Sequence, residues 1–212
     1  MGQVKCDFME VGPVQANCYF VSNEDTKECI IIDAGDDERR IINYIEDKKL
    51  KPVAILLTHG HFDHIGAVEG IREKYGIKVY AAQAEEEVLK DVNINLSAQL
   101  MGGAISLKAD ELLSDGQEIN LIGEKIRCIL TPGHTVGGMC YYFTNSGYLF
   151  SGDTLFQQSV GRTDFPGGSM STLIRSIREK LFVLPEYIRV YPGHGMTTSI
   201  KEEKMLNPFA AE

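Results

Sequence analysis

The 212-residue chain carries 30 acidic and 21 basic side chains, a formal net charge of −9 at pH 7, with 43% hydrophobic and 24% charged residues. That length allows a sizeable core, the composition is ordinary for a globular protein, and the acidic balance argues against a phosphate backbone as partner. No stretch approaches the ~18 apolar residues that cross a bilayer. Residues 1–6, Met-Gly-Gln-Val-Lys-Cys, lack an apolar leader run and the hydroxyl residue of a myristoylation signal. The expectation is one domain over residues 1–212, cytoplasmic, with neither nucleic acid nor membrane as partner.

Residues 4–8, 17–22 and 29–33 read as strands, the last built on the apolar Ile30-Ile31-Ile32. Residues 36–49 read as a helix with Ile41, Ile42 and Ile45 on one face. Pro52 opens a buried strand over 53–57. Ile65, Val68, Ile71 and Tyr75 then recur at helical spacing, with Gly76 as the stop. A strand over 77–81 precedes a Glu-rich helix over 84–90, whose Glu85-Glu86-Glu87 run reads as a solvated face. Residues 93–107, broken by Gly102-Gly103, read as a loop or lid.

The second half repeats the theme. Residues 126–130, 139–143 and 148–150 read as strands, with Asn145-Ser146-Gly147 the turn between the last two. A helix over 171–181, a strand over 188–191 and a closing helix over 200–206 follow. Tyr141 and Tyr142 alternate on a strand, so at least one belongs in the core. The five scattered cysteines, without a CxxC pair, read as reduced core residues. Two successive strand-and-helix halves suggest an α/β fold of two sheets packed face to face, helices outside.

The chain has only five histidines, and three fall in Thr58-His59-Gly60-His61-Phe62-Asp63-His64, directly after a predicted strand. The others are His134 in Thr131-Pro132-Gly133-His134-Thr135 and His194 in Tyr191-Pro192-Gly193-His194-Gly195, each again past a strand end. Asp153, in Ser151-Gly152-Asp153-Thr154, occupies a matching position. Strand ends of such folds gather along one rim, where functional loops sit. Neutral imidazole and carboxylate are ligands for a divalent ion such as zinc. An extended turn can point His59 and His61 the same way, and Asp63 and His64, at the start of the next helix, can serve a second ion.

The HxHxDH motif with His134, Asp153 and His194 resembles the metallo-β-lactamase superfamily in order and spacing along essentially the whole chain. That resemblance implies a four-layer αββα sandwich of two mixed sheets. It also implies two divalent ions, expected to be zinc with iron or manganese as alternatives. His59, His61 and His134 would hold one ion, Asp63, His64 and His194 the other, and Asp153 would bridge them. Ala16-Asn17-Cys18-Tyr19, Ile32-Asp33-Ala34-Gly35, Ser151-Gly152-Asp153-Thr154-Leu155-Phe156, Gly161-Arg162-Thr163-Asp164-Phe165 and Asn207-Pro208-Phe209 are similar to the glyoxalase II branch, the hydroxyacylglutathione hydrolases, in its short bacterial form. The long members carry a C-terminal glutathione-binding domain, whereas 18 residues follow His194 here.

The implied reaction is hydrolysis of a small acyl thioester by a hydroxide bridging two ions ~3.5–4 Å apart, with Asp63 orienting the hydroxide. A thiol leaving group, pKa near ~8.5, has little need of a general acid. Such a centre is net positive and favours anionic substrates. Asp33 reads either as a carboxylate orienting a ligand histidine or as a strand-end turn residue. Arg162 reads either as the partner of a substrate carboxylate or as half of a salt bridge to Asp164. The rival within the resemblance is a persulfide dioxygenase holding one iron through His59, His134 and Asp153. Flavodiiron oxygen reduction fits less well, because that branch carries Glu where this chain has His61. A non-catalytic metal-binding protein is the remaining alternative.

Overall fold

The computed structural model describes residues 3–100 and 103–211; the expectations for residues 1 and 2, and for Gly102 as a breaker, lie outside them. Strand β1 (Val4–Val11) pairs antiparallel with β2 (Ala16–Asn23), and β2 antiparallel with β3 (Glu28–Ile32). After helix α1 (Glu38–Asp47), strand β4 (Lys51–Leu56) returns parallel to β3. Helices α2 (Phe62–Ile65) and α3 (Val68–Tyr75) lead to β5 (Lys78–Ala82), which is parallel to β4. A 3₁₀ turn (Gln83–Glu85), helices α4 (Glu86–Lys90) and α5 (Ser97–Leu100), and β6 (Glu111–Leu113) complete a mixed six-stranded sheet in order β1-β2-β3-β4-β5-β6.

The second sheet begins with β7 (Glu118–Leu121), β8 (Glu124–Leu130), β9 (Met139–Phe143) and β10 (Tyr148–Gly152). A ribbon of β11 (Leu155–Phe156) and β12 (Ser159–Val160) follows, then α6 (Met170–Ser176), which runs on as a π turn over Ile177–Leu181. Strands β13 (Arg189–Pro192) and β14 (Thr198–Ser199), then α7 (Ile200–Leu206), close the chain, giving sheet order β14-β13-β10-β9-β8-β7.

Three apolar clusters account for the layering. Ile30, Ile32 and Leu56 of the first sheet pack with Ile126, Phe143 and Phe150 of the second between the sheets. Ile31, Ile55 and Val79, on the opposite face of the first sheet, meet Ile41 and Ile45 of α1 and Val68 and Ile71 of α3. Leu149 and Val190 of the second sheet meet Leu173, Ile177 and Ile200. Alternate residues of each central strand are thus buried on both faces, as helix-covered sheets require. This is the expected αββα sandwich with two mixed sheets.

Several boundaries differ from the sequence reading. Helix α1 starts at Glu38 rather than 36, because Asp37 takes a left-handed φ of 55° and its carboxylate accepts from Gly12 N and Arg40. The helix expected from Ile65 to Tyr75 breaks after α2: Gly66 N and Ala67 N donate to Gly35 O and Ala34 O instead of to the preceding turn. The described residues of segment 93–107 form a packed loop with one helical turn. Buried Asn95 and Ser97 bind the Ile105 backbone, and Phe62 N donates to Asn95 O, tying the loop to the histidine loop. Strands β6, β7, β11, β12 and β14, of two to four residues each, are too short for any periodicity to announce.

Cys18, Cys29, Cys128 and Cys140 are buried, Cys6 is half-buried, and none is bridged. Tyr141 is the core tyrosine, fully buried, its hydroxyl donating to Leu57 O. No helix among the described residues is long and apolar enough to cross a membrane.

Candidate metal centre

The site lies where the strands of both sheets end. His59 follows β4, His134 follows β8, Asp153 follows β10 and His194 follows β13. Backbone bonds hold these loops together: Met139 N donates to Thr58 O and Asn17 N to Gly193 O across the two sheets, and Gly193 N donates to Gly152 O within the second. Gly193 is needed for close approach, since a Cβ there would stand 2.1 Å from Asp153 Oδ1.

All seven expected ligands come together. His61 Nδ1 lies 2.9 Å from His134 Nε2, which lies 3.2 Å from His59 Nε2. Beside this set, His194 Nε2 is 3.1 Å from Asp63 Oδ2, and His64 Nε2 is 3.6 Å from the same atom. Asp153 reaches both sets, with Oδ1 3.5 Å from His64 Nε2 and Oδ2 3.6 Å from His134 Nε2 and 3.7 Å from His194 Nε2. Ligand atoms of His59, His61 and His134 lie within 4.8 Å of one another, as do those of Asp63, His64 and His194.

The arrangement has the marks of a cation site. His64 Nε2 and Asp153 Oδ1 are buried without a hydrogen-bond partner, a cost that a cation at the centre would remove. Burial, reinforced by the neighbouring histidines, holds His59 well below its ordinary value and His61 at about 3, so both are neutral lone-pair donors at pH 7. Burial would lower His64 too, but the carboxylates of Asp63, Asp33 and Asp153 outweigh it and push the imidazole to about 10. Burial likewise opposes ionisation of Asp63, yet His64 and the His194 hydrogen bond hold its carboxyl well below the usual range. The residues present therefore fit two divalent ions.

Asp33 hydrogen-bonds a histidine of the candidate set, as the first of its two expected roles requires. It is 1% exposed, at a left-handed φ of 56°, and accepts from Thr58 N at 2.8 Å, Thr58 Oγ1 at 2.6 Å and His64 Nδ1 at 2.9 Å. The last bond leaves the His64 lone pair on Nε2, facing the centre. Asp33→Ala is expected to strand three buried donors, destabilising the fold by about 3–5 kcal/mol and weakening metal binding roughly 10–100-fold. Chemical denaturation and metal titration check the two effects.

Arg162 lies at the cleft, but its guanidinium is taken. Nε and Nη2 each reach an Asp164 carboxylate oxygen at 2.7 Å, and the group lies 3.9 Å over the Phe165 ring. Its main chain does something the sequence could not announce: Arg162 O accepts from His134 Nδ1 at 2.7 Å, leaving the His134 lone pair on Nε2.

The Glu85-Glu86-Glu87 run is not simply a solvated face. Glu87 is exposed, but Glu85 is buried and accepts from Gly60 N at 2.9 Å, Thr135 Oγ1 at 2.9 Å and Gly137 N at 2.7 Å. Burial raises its carboxyl to about 7 against those three bonds. A short 3₁₀ turn, outside the periodicity of α4, turns Glu85 inward while its neighbours face water.

The centre opens into a cleft of about 390 Å³ walled by Val14, Phe62, Leu96, Phe156, Val160 and Phe165 among others. Apart from the ligand set, Arg162 is the only ionisable side chain lining it among the described residues.

Among curated proteins, the chain is 45% identical over 202 residues to the probable metallo-hydrolase YqgX of Bacillus subtilis, covering 95% of each. It is 36% identical to the hydroxyacylglutathione hydrolase GloC of Haemophilus influenzae, covering 95% of this chain and 97% of that protein. Among solved structures, the BLEG-1 B3 metallo-beta-lactamase superposes with a TM-score of 0.93 at 41% identity, over 98% of this chain and 100% of that one. A di-iron-bound form of TTHA1623 superposes with a TM-score of 0.83 at 35% identity, over 96% and 99%. A family model described as the metallo-beta-lactamase superfamily matches residues 11–194, a span holding every residue of the centre, and the chain belongs to that superfamily.

Proposed function

We propose that this chain hydrolyses small acyl thioesters in the manner of a hydroxyacylglutathione hydrolase. The observation that carries the reading is the cleft's inventory: a full set of ligands for two ions and, among the described residues, no ionisable side chain beyond it except Arg162. Two divalent ions, when bound, lower the pKa of water towards ~7 and polarise a carbonyl.

The protein's own residues then have few tasks. Asp63, held ionised by His64 and His194, accepts a hydrogen bond from the attacking water and aims its oxygen at the carbonyl carbon. As the C–O bond forms and the C–S bond breaks, the sulfur leaves with the electron pair as thiolate. The water proton passes to solvent. A thiolate, pKa near ~8.5, leaves without protonation, whereas an amine leaving group calls for a proton donor that the cleft lacks outside its ligands. The apolar walls exclude competing water from the reacting carbonyl. The likeness to GloC supports the same reaction class.

The test is a substrate panel on purified protein with its metal content measured. Expected is turnover of S-lactoylglutathione and short acyl thioesters at kcat/KM of about 10⁴ M⁻¹s⁻¹ or more. Arg162→Ala is expected to raise KM about threefold to tenfold with metal content unchanged: the side chain is at the cleft, but the carbonyl that holds His134 survives truncation. One iron per chain with oxygen uptake on glutathione persulfide would replace the reading by the dioxygenase. Opening of a β-lactam ring, with thioesters left intact, would replace it by a lactamase. Bound ions without turnover on any substrate would leave a metal-binding protein.

A further inference from the structure

The proposed reaction makes no use of Glu85, although this carboxylate is 1% exposed and fully hydrogen-bonded. Its partners are informative. Gly60 sits between His59 and His61, and Thr135 and Gly137 follow His134, so one side chain ties together the two loops that present the three-histidine set. Among the described residues, and apart from the histidines themselves, it is the only side chain hydrogen-bonded to both loops.

The contact is also steric. A Cβ on Gly137 would stand 2.4 Å from Glu85 N, and one on Gly60 would meet Val88 and Leu89 at 3.0 and 3.1 Å. The segment bearing Glu85 therefore packs directly on bare backbone of both loops. The nearest ligands to those loops, His61 and His134, stand 2.9 Å apart across the centre. A shift of either loop changes that spacing, and imidazole–metal bonds tolerate only a few tenths of an ångström.

We infer that Glu85 is a positioning residue: it sets the separation of the His59/His61 loop from the His134 loop, and with it the affinity of the three-histidine set for its ion. This rests on the metal-centre reading but not on the thioesterase reading.

Zinc titration against a chromogenic chelator tests it, performed on two backgrounds that isolate the sets. Asp63→Ala weakens the Asp63/His64/His194 set and leaves the three histidines; His61→Ala does the reverse. On the Asp63→Ala background, Glu85→Ala is expected to weaken zinc binding about 10–100-fold, as loss of an outer partner of a metal ligand does. On the His61→Ala background the change is expected to stay within about threefold, the second set having no bond to Glu85. The d–d absorption of the Co²⁺ form is expected to shift in Glu85→Ala.

Glu85→Gln should fall between, because its amide oxygen keeps one acceptor position while its NH₂ opposes the donor on the other. Glu86→Ala, which removes only a surface partner of Lys90, should change nothing. If Glu85→Ala fails to fold by circular dichroism, Glu85→Gln carries the comparison. Zinc affinity unchanged on the Asp63→Ala background, or an equal loss on both, overturns the inference. A wild-type chain binding no ion would overturn the metal centre instead.

Discussion

Asp153→Ala is expected to lower kcat/KM by about 10³-fold or more, beyond the roughly 10–100-fold that loss of an outer partner costs. The reason is its position. Asp153 is the carboxylate whose oxygens face histidines of both sets, His134 on one side and His64 and His194 on the other. Removing it deprives both ions of a ligand and leaves the centre one negative charge short. Asp63 approaches only His64 and His194, so Asp63→Ala should cost less and spare the three-histidine set. Asp153→Asn separates charge from shape, keeping the volume but not the anion. Steady-state kinetics beside metal stoichiometry decide the matter. An Asp153→Ala protein holding two ions and turning over near wild type would remove the bridge from the scheme.

Chelation should be nearly as severe. Dialysis against a chelator is expected to abolish turnover, with recovery on adding back Zn²⁺, Mn²⁺ or Fe²⁺. Binding to the folded state alone stabilises it by RT ln(1 + [L]/Kd), about 4 kcal/mol at 1,000 Kd. For a domain of this size that corresponds to a fall in Tm of roughly 8–16 °C on metal removal.

The pH dependence follows from the protons the ligands hold. In the metal-free protein His64 carries its proton up to about 10, because Asp63, Asp33 and Asp153 outweigh burial. Its folded pKa is raised above the unfolded value, so it stabilises the metal-free fold fully below about 6.5, and that contribution is lost as pH rises through about 10. A metal ion must displace this proton, so metal affinity has the opposite slope and increases with pH across this range. Chelator competition at pH 6 and pH 8 should show tighter binding at pH 8. Binding of equal strength at both would show that His64 is not a ligand.

The ligand set was legible in the chain because each member announces itself locally. An apolar strand run, then a turn that sets His or Asp beside a Gly or Pro-Gly, is a pattern read within ten residues, and it recurs at His59, His134, Asp153 and His194. The same local logic found the central strands and the helices α1, α6 and α7, whose apolar residues keep one face. It failed where the deciding partner lies far along the chain. Helix 65–75 broke because residues 34 and 35 claimed its amides, and Asp33 stayed between two roles in the chain because its partners Thr58 and His64 lie 25 and 31 residues away.

Arg162 shows the limit more sharply, since the atom that matters is a carbonyl that every residue type carries. Glu85 shows it best. In the chain it is one of three successive glutamates, and its composition says solvent. Only packing brings Gly60, Thr135 and Gly137, 25, 50 and 52 residues away, to its two oxygens. The sequence by itself determined which atoms can bind metal, because that is a property of side-chain chemistry at strand ends. Which buried groups hold those atoms in place was decided by the tertiary structure, because a buried carboxylate is stable only where donors from distant segments converge on it.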